Sequence, residues 1–229
     1  MGERTFMGVP VKRYEQISSV LVKYGFEALI RDILPKKLLK NTKQRTSQYN
    51  ANLYRRIKLA IQELGPTFVK FAQIVSTRRE ILPPGLINEL KELTDRVEPV
   101  SFDRIKPTIE EQCGPIDETF TYLGELPFAA ASLSQVHLAK MKDGTVLALK
   151  VQRPGIREVI ETDLEILQNI AAHLDKSRQD LKVYNLPVMV REFSHQILSE
   201  IDFVRDGKNA ELAAANIADI KGVRVPKIY

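Results

Sequence analysis

The sequence predicts an α+β fold, with an N-terminal helical region followed by a small antiparallel sheet and long helices. Three observations predict it. Apolar residues recur at three- and four-residue steps through much of 14–112, and again after Pro154. Between 119 and 151 the period falls to two, with Asp143-Gly144 separating alternating apolar runs, which is a hairpin signal. Proline and glycine at Gly65-Pro66, Pro83-Pro84-Gly85, Gly114-Pro115 and Pro154-Gly155 punctuate the segments. The change of period places a boundary near 115: a helical region over 1–115 and a sheet-bearing region over 116–229.

Taken in order, residues 1–50 read as helical with breaks. Ile17, Val20, Leu21, Tyr24, Ala28 and Leu29 give a helix over Tyr14–Ile33, which Pro35 ends. Leu53, Ile57, Ala60, Ile61 and Leu64 give a helix over 51–64. Pro66 suits the first turn of the next, because its missing N–H would have no helical partner there. That helix carries Phe68, Val69, Ala72 and Val75, with Lys70 and Gln73 off the apolar stripe. Leu86, Leu90, Leu93 and Val97 mark a short helix, and a further helical turn is expected around Thr108–Gln112. The sheet follows, with an alanine-rich turn at Phe128–Ser132. A long helix then starts at Ile156. Pro187 opens another, running to about Ile217 with Phe193, Ile197, Ile201 and Val204 as its stripe. The last nine residues, KGVRVPKIY, read as the start of a strand.

Composition excludes several classes. Hydrophobic residues are 44% of the 229, enough for a packed core. No apolar run approaches the ~20 residues that a spanning helix needs. One cysteine, Cys113, forms no internal disulfide and no thiolate metal cage. The opening MGERTFMGVPVKRYEQ lacks the apolar core of a secretory signal, so a cytoplasmic location is expected. The histidines, His137, His173 and His195, lack H-E-x-x-H spacing, and no metal site is expected. Charge is uneven: residues 1–58 hold 13 basic and four acidic residues, a net +9. Lys36, Lys37, Lys40, Lys43 and Arg45 cluster around Leu38 and Leu39, which suits an anionic membrane surface. Aromatics are not interleaved with these bases, so nucleic acid is the weaker partner.

Lys150 lies inside the apolar strand LALKVQ, on the face of Val146 and Ala148. A lysine in a strand is ordinarily an edge residue with a solvated head. Here a strand, a small-residue loop and a second strand precede it, the nucleotide-binding order of kinase small lobes. Alanine in the loop allows close backbone approach but restricts positive φ. Four segments carry a more specific signal: LGPTFVKFAQIVSTRREILPP (64–84), FAAASLSQVHLA (128–139), VLALKVQRPGI (146–156) and SEIDFVRDGKNA (199–210). In order and spacing they resemble the UbiB-like atypical kinases, a family tied to coenzyme Q and other isoprenoid-lipid metabolism, over roughly 20–229.

The resemblance implies a kinase-like small lobe with a helical extension, and a role for each matching residue. Lys150 would contact the α/β-phosphates of ATP or ADP, and Ala129, Ala130, Ala131 and Ser132 would cover them. Lys70 and Gln73 belong to the extension that closes the site, with Glu200 as the partner of Lys70. Glu200 and Asp202 match the Glu-x-Asp motif, and Asp206 stands where the family has the glutamate that pairs with the strand lysine. Asp202 and Asp206, four apart, are expected on one helix face. Ala72 replaces the family's motif glycine, and Gly207 its alanine. The shorter arm of Asp206 predicts a Lys150 pair stretched beyond ~4 Å unless the helix moves.

The family's catalytic loop and its magnesium-binding motif are not matched anywhere in the sequence. The expectation is therefore the N-terminal half of such a kinase or ATPase, with the large catalytic lobe missing. It would bind adenine nucleotide weakly or beside a separate large-lobe chain, and would not be catalytic alone. The alternative is a non-catalytic module docking on a membrane surface or on lipid-pathway proteins.

Overall fold

The computed structural model describes residues 5–6, 9–27, 52–78, 82–93 and 97–229. The basic cluster at Lys36–Arg45 lies outside the described residues. Two short antiparallel strands, β1 (Thr5–Phe6) and β2 (Val9–Pro10), open the chain where helix was expected. Helix α1 runs Val11–Lys23 and stops well short of Ile33. The stop is physical. Gly25 has φ +78, and a Cβ there would collide with the Arg56 guanidinium. That guanidinium donates to the carbonyls of Tyr24 (2.8 Å) and Gly25 (3.0 Å), so a residue of the helix over Leu53–Leu64 caps this one.

Helix α2 (Leu53–Leu64) starts where Asn52 accepts from the Tyr54 N–H. Gly65, at φ +105, turns the chain into α3 (Pro66–Ser76), with proline in its first turn. Helix α4 (Pro84–Lys91) follows, and Val97 lies exposed beyond it. Helix α5 (Phe102–Cys113) has three turns where one was expected. Pro107 sits inside it, at a cost of about 3 kcal/mol. Ile105 and Ile109 are fully buried, and at about 1.5–3 kcal/mol each they offset that cost.

After α6 (Ile116–Thr119) comes the sheet: β3 (Phe120–Leu123), β4 (Ala129–Ala130), β5 (Ser134–Met141) and β6 (Val146–Gln152). All pairings are antiparallel. The strands β3 and β4 lie end to end along one side of β5, and β6 lies along the other. The Asp143-Gly144 turn joins β5 to β6, as its residues predict: the Asp143 carboxylate accepts from the Thr145 N–H. One sheet face packs on α5 through Phe120, Ala139, Val151, Ile105 and Ile109. The other, carrying Leu138, Val146 and Lys150, is open.

Helix α7 (Ile156–Ser177) supplies the main core with Ile160, Leu164, Ile166 and Leu167. These pack on α8 (Leu186–Glu200) and on α1 and α3. The expected single helix to Ile217 is two. Asp202 breaks it by capping α9 (Phe203–Asn216), its carboxylate accepting from the Arg205 N–H at 2.9 Å. Val204 is accordingly 70% exposed rather than part of a stripe. Residues 223–229 form no strand; Pro226–Tyr229 instead pass along β6.

One ion pair ties the helices together. Arg13 on α1 holds the fully buried Asp163 on α7 with two bonds, Nε to Oδ1 at 2.7 Å and Nη2 to Oδ2 at 3.0 Å. Its Nη2 also donates to the Leu64 carbonyl at 2.8 Å, closing the end of α2.

Candidate functional site

Strand alternation fixes where Lys150 points. Val146, Ala148 and Lys150 are exposed along β6, while Val151 on the opposite face is buried. The Lys150 ammonium lies 3.1 Å from Asp206 Oδ2 and 4.2 Å from the centroid of the Phe203 ring. A cavity of about 730 Å³ runs beside it along β6. Its other wall is α9, which offers Phe203, Asp206, Gly207 and Ala210, and Pro226–Tyr229 cross it. Cys113 stands at its rim.

The Lys150–Asp206 pair is intact, against the expectation of a stretched contact. The reason lies two residues along β6 and at the end of α8. Gln152 on β6 donates its side-chain amide to the Ile201 carbonyl, where α8 ends. That bond holds the start of α9 beside the strand. Asp206, in the first turn of α9, therefore reaches the lysine without the missing methylene. Asp202 and Asp206 do not share a working face, because Asp202 uses its carboxylate as the helix cap.

Glu200 immediately precedes this junction, and its Oε1 lies 2.9 Å from Lys70 Nζ on α3. Lys70 is the more enclosed partner, 18% exposed against 44%. Two lysines from different parts of the chain thus end on carboxylates six residues apart at one helix junction. Gln73 turns elsewhere: its amide donates to the Leu93 carbonyl at 3.1 Å, beyond the end of α4. Ala72 is buried among Val69, Leu86 and Leu90, where α2, α3 and α4 meet.

Ala129 lies on the same sheet face as Lys150 and Ala130 on the opposite face with Gln135 and Val151, and neither lines the cavity. Ala129 pairs with Val136, and Val136 with Lys150, so the three side chains form a row across β4, β5 and β6. Two strand spacings, about 9–10 Å, separate Ala129 from the lysine. Ser132 is buried, and its hydroxyl has no hydrogen-bond partner among the described residues. An orphaned hydroxyl in a tight loop, next to a strand that faces a lysine, is a donor that fits phosphate oxygens. Among the described residues no group of three His, Cys, Asp or Glu side chains converges to hold a metal.

Three participants escaped the sequence reading. Phe203 follows the Glu-x-Asp motif directly, and Gln152 alternates with Lys150, so both carried a positional signal. Arg153 donates Nε to the Ala131 carbonyl at 2.9 Å and Nη2 to the Glu98 carbonyl at 2.8 Å. Partial burial draws its pKa below the ordinary guanidinium value.

Comparison with known proteins gives a concordant picture. A family model described as "ABC1 atypical kinase-like domain" matches residues 92–229. The chain is 35% identical over 225 residues to "Probable protein kinase UbiB" of Aliivibrio salmonicida (strain LFI1238), which covers 95% of this chain and 41% of that protein. It is 35% identical over 233 residues to the protein of the same name from Azotobacter vinelandii, covering 96% and 42% respectively. A Pseudomonas putida protein of that name is 38% identical over 175 residues, 76% of this chain and 32% of its own length. The chain therefore spans about two fifths of the length of the first two.

Proposed function

Because the chain belongs to the ABC1 atypical kinase-like family, we propose that it forms the nucleotide-binding part of a UbiB-like kinase or ATPase acting in isoprenoid-quinone metabolism. The observation that carries this reading is Lys150, held by Asp206 and Phe203 on the sheet face that also bears Ala129. An ammonium fixed by a carboxylate and a ring face is pre-oriented, so little side-chain entropy is left to lose when it meets an α- or β-phosphate. Ala129, Ala130, Ala131 and Ser132 would lie against the phosphates, with the loop backbone and the Ser132 hydroxyl as donors. The Lys70–Glu200 pair would fix the helix junction from which Asp206 projects. Gln73 would act only through the packing of α3 on α4.

Phosphoryl transfer needs a metal and a residue to orient the acceptor; no metal-holding cluster occurs among the described residues, and no catalytic-loop motif is matched in the sequence. The proposed activity of these residues is therefore adenine-nucleotide binding, with magnesium and catalysis supplied by a large lobe. Isothermal titration of ATP and ADP into the wild-type chain and Lys150→Ala tests this. The expected result is measurable binding that weakens at least about tenfold in the variant, as for loss of a charge-assisted bond. Equal affinity in the two proteins would refute the lysine's role. Magnesium-dependent ATP hydrolysis by the 229-residue chain, lost in Lys150→Ala, would overturn the non-catalytic part.

A second reading is favoured by the net +9 of residues 1–58: a module that docks on an anionic membrane surface or on a protein partner. Among the described residues no helix is long and apolar enough to cross a membrane. Sedimentation with anionic liposomes at rising salt tests the surface version. Binding that salt weakens supports it, and no binding at low salt removes it.

A further inference from the structure

The alanine loop raises a physical problem. A glycine-rich loop can turn its peptides freely through positive φ, whereas alanine cannot without strain. No residue of 129–134 has positive φ, and no peptide bond among the described residues is cis. Something outside the loop must therefore set which way its N–H groups point. The bonds around residues 131–134 identify it. Arg153 donates its backbone N–H to the Leu133 carbonyl at 3.0 Å and its Nε to the Ala131 carbonyl at 2.9 Å. The Ala131 N–H is used within the loop, on the Ser134 carbonyl at 2.8 Å.

The side on which Arg153 stands is also fixed. It lies two residues beyond Val151, a buried residue that pairs with Gln135. Its Nη2 reaches Glu98, two residues before Val100, whose N–H and carbonyl are both held by the Gln135 amide at 2.9 and 3.1 Å. Arg153 therefore acts from the face of Gln135, opposite Lys150. In a trans peptide the C=O and N–H point in opposite directions. With the Ala131 C=O drawn to Arg153, the N–H of the same peptide, that of Ser132, is turned to the Lys150 face.

We infer that Arg153 is a positioning residue that orients the Ala131–Ser132 peptide, presenting the Ser132 N–H to the phosphate groups of a nucleotide and tying the loop to the 97–100 segment. The phosphate part of this inference rests on the nucleotide-binding reading above; the peptide orientation does not.

The experiment uses the full chain with Arg153→Met and Arg153→Lys. Without nucleotide, the ¹H–¹⁵N amide signals of Ala131 and Ser132 are compared with wild type. Both should shift in Arg153→Met, and Arg153→Lys should restore them in part, since an ammonium can still reach one carbonyl. Unmoved signals in both variants overturn the inference. ATP and adenosine are then titrated. Arg153→Met should weaken ATP at least about fivefold, as for a lost charge-assisted contact network, and leave adenosine unchanged. Equal weakening of both ligands makes the role merely structural and overturns it. Wild-type protein that binds neither ligand removes the nucleotide reading, and the amide signals alone then decide whether Arg153 orients the loop. If Arg153→Met does not fold, the same comparisons are made on Arg153→Lys.

Discussion

Replacing Arg13 by methionine should destabilise the fold by about 3–5 kcal/mol, the cost of leaving a buried carboxylate without its partner. The structure puts this variant at the upper end of what single substitutions do. Asp163 has no exposed surface, and both of its oxygens are held by Arg13, at 2.7 and 3.0 Å. The same guanidinium caps the Leu64 carbonyl, so a further ~0.5–1.5 kcal/mol is at stake there. For a urea slope of about 3 kcal/mol/M, the midpoint followed by far-ultraviolet circular dichroism should fall by about 1–1.7 M. The stranded charge has a second consequence. Adding Asp163→Leu to Arg13→Met removes the stranded charge, so the double variant should be more stable than Arg13→Met alone. A midpoint change below about 0.3 M for Arg13→Met, or a double variant less stable than the single, would refute the reasoning.

Gly65→Ala should cost about 1–3 kcal/mol, read as a lower thermal midpoint: φ +105 strains any other residue, although among the described residues no atom stands within 4 Å of the new Cβ. Gly207→Ala should stabilise α9 by up to about 1 kcal/mol, because the close neighbour among the described residues, the half-exposed end of Ile228 at 3.2 Å, can yield. A double-mutant cycle on Lys70→Met and Glu200→Gln should return a coupling in stability below about 1 kcal/mol, since Glu200 is 44% exposed. Glu63 titrates below its ordinary value of 4.5, chiefly because Lys23 donates to it and also because Tyr24 does. The unfolded chain therefore takes up that proton first, and the stabilisation is complete above 4.5 and lost as pH falls through the lower folded value. Denaturation at several pH values should show a shallower acid-side fall in Glu63→Gln.

What the residues reveal by themselves follows the range of the forces involved. The β5–β6 hairpin and the face of Lys150 were legible because alternation and an Asp-Gly turn are local. Helices α2, α3 and α7 were legible through spacing and proline punctuation. The break between α8 and α9 was not, because Ile201 and Val204 keep an apolar spacing across it while one aspartate turns the chain. The length of α5 was hidden by Pro107, whose cost is local while the burial that offsets it comes from the sheet. The Arg13–Asp163 pair, 150 residues apart in sequence, has no local signature at all. At the candidate site, Lys150, Asp206, Lys70 and Glu200 were named from motif resemblance. Their distances depend on Gln152 and on the junction, which no motif announces.

The only thiol in the chain lies exposed at the rim of the groove between β6 and α9. A fluorophore attached to Cys113 would thus be placed without engineering beside the helix that carries Asp206. Its emission would register whether that helix swings when nucleotide, lipid or a partner chain arrives.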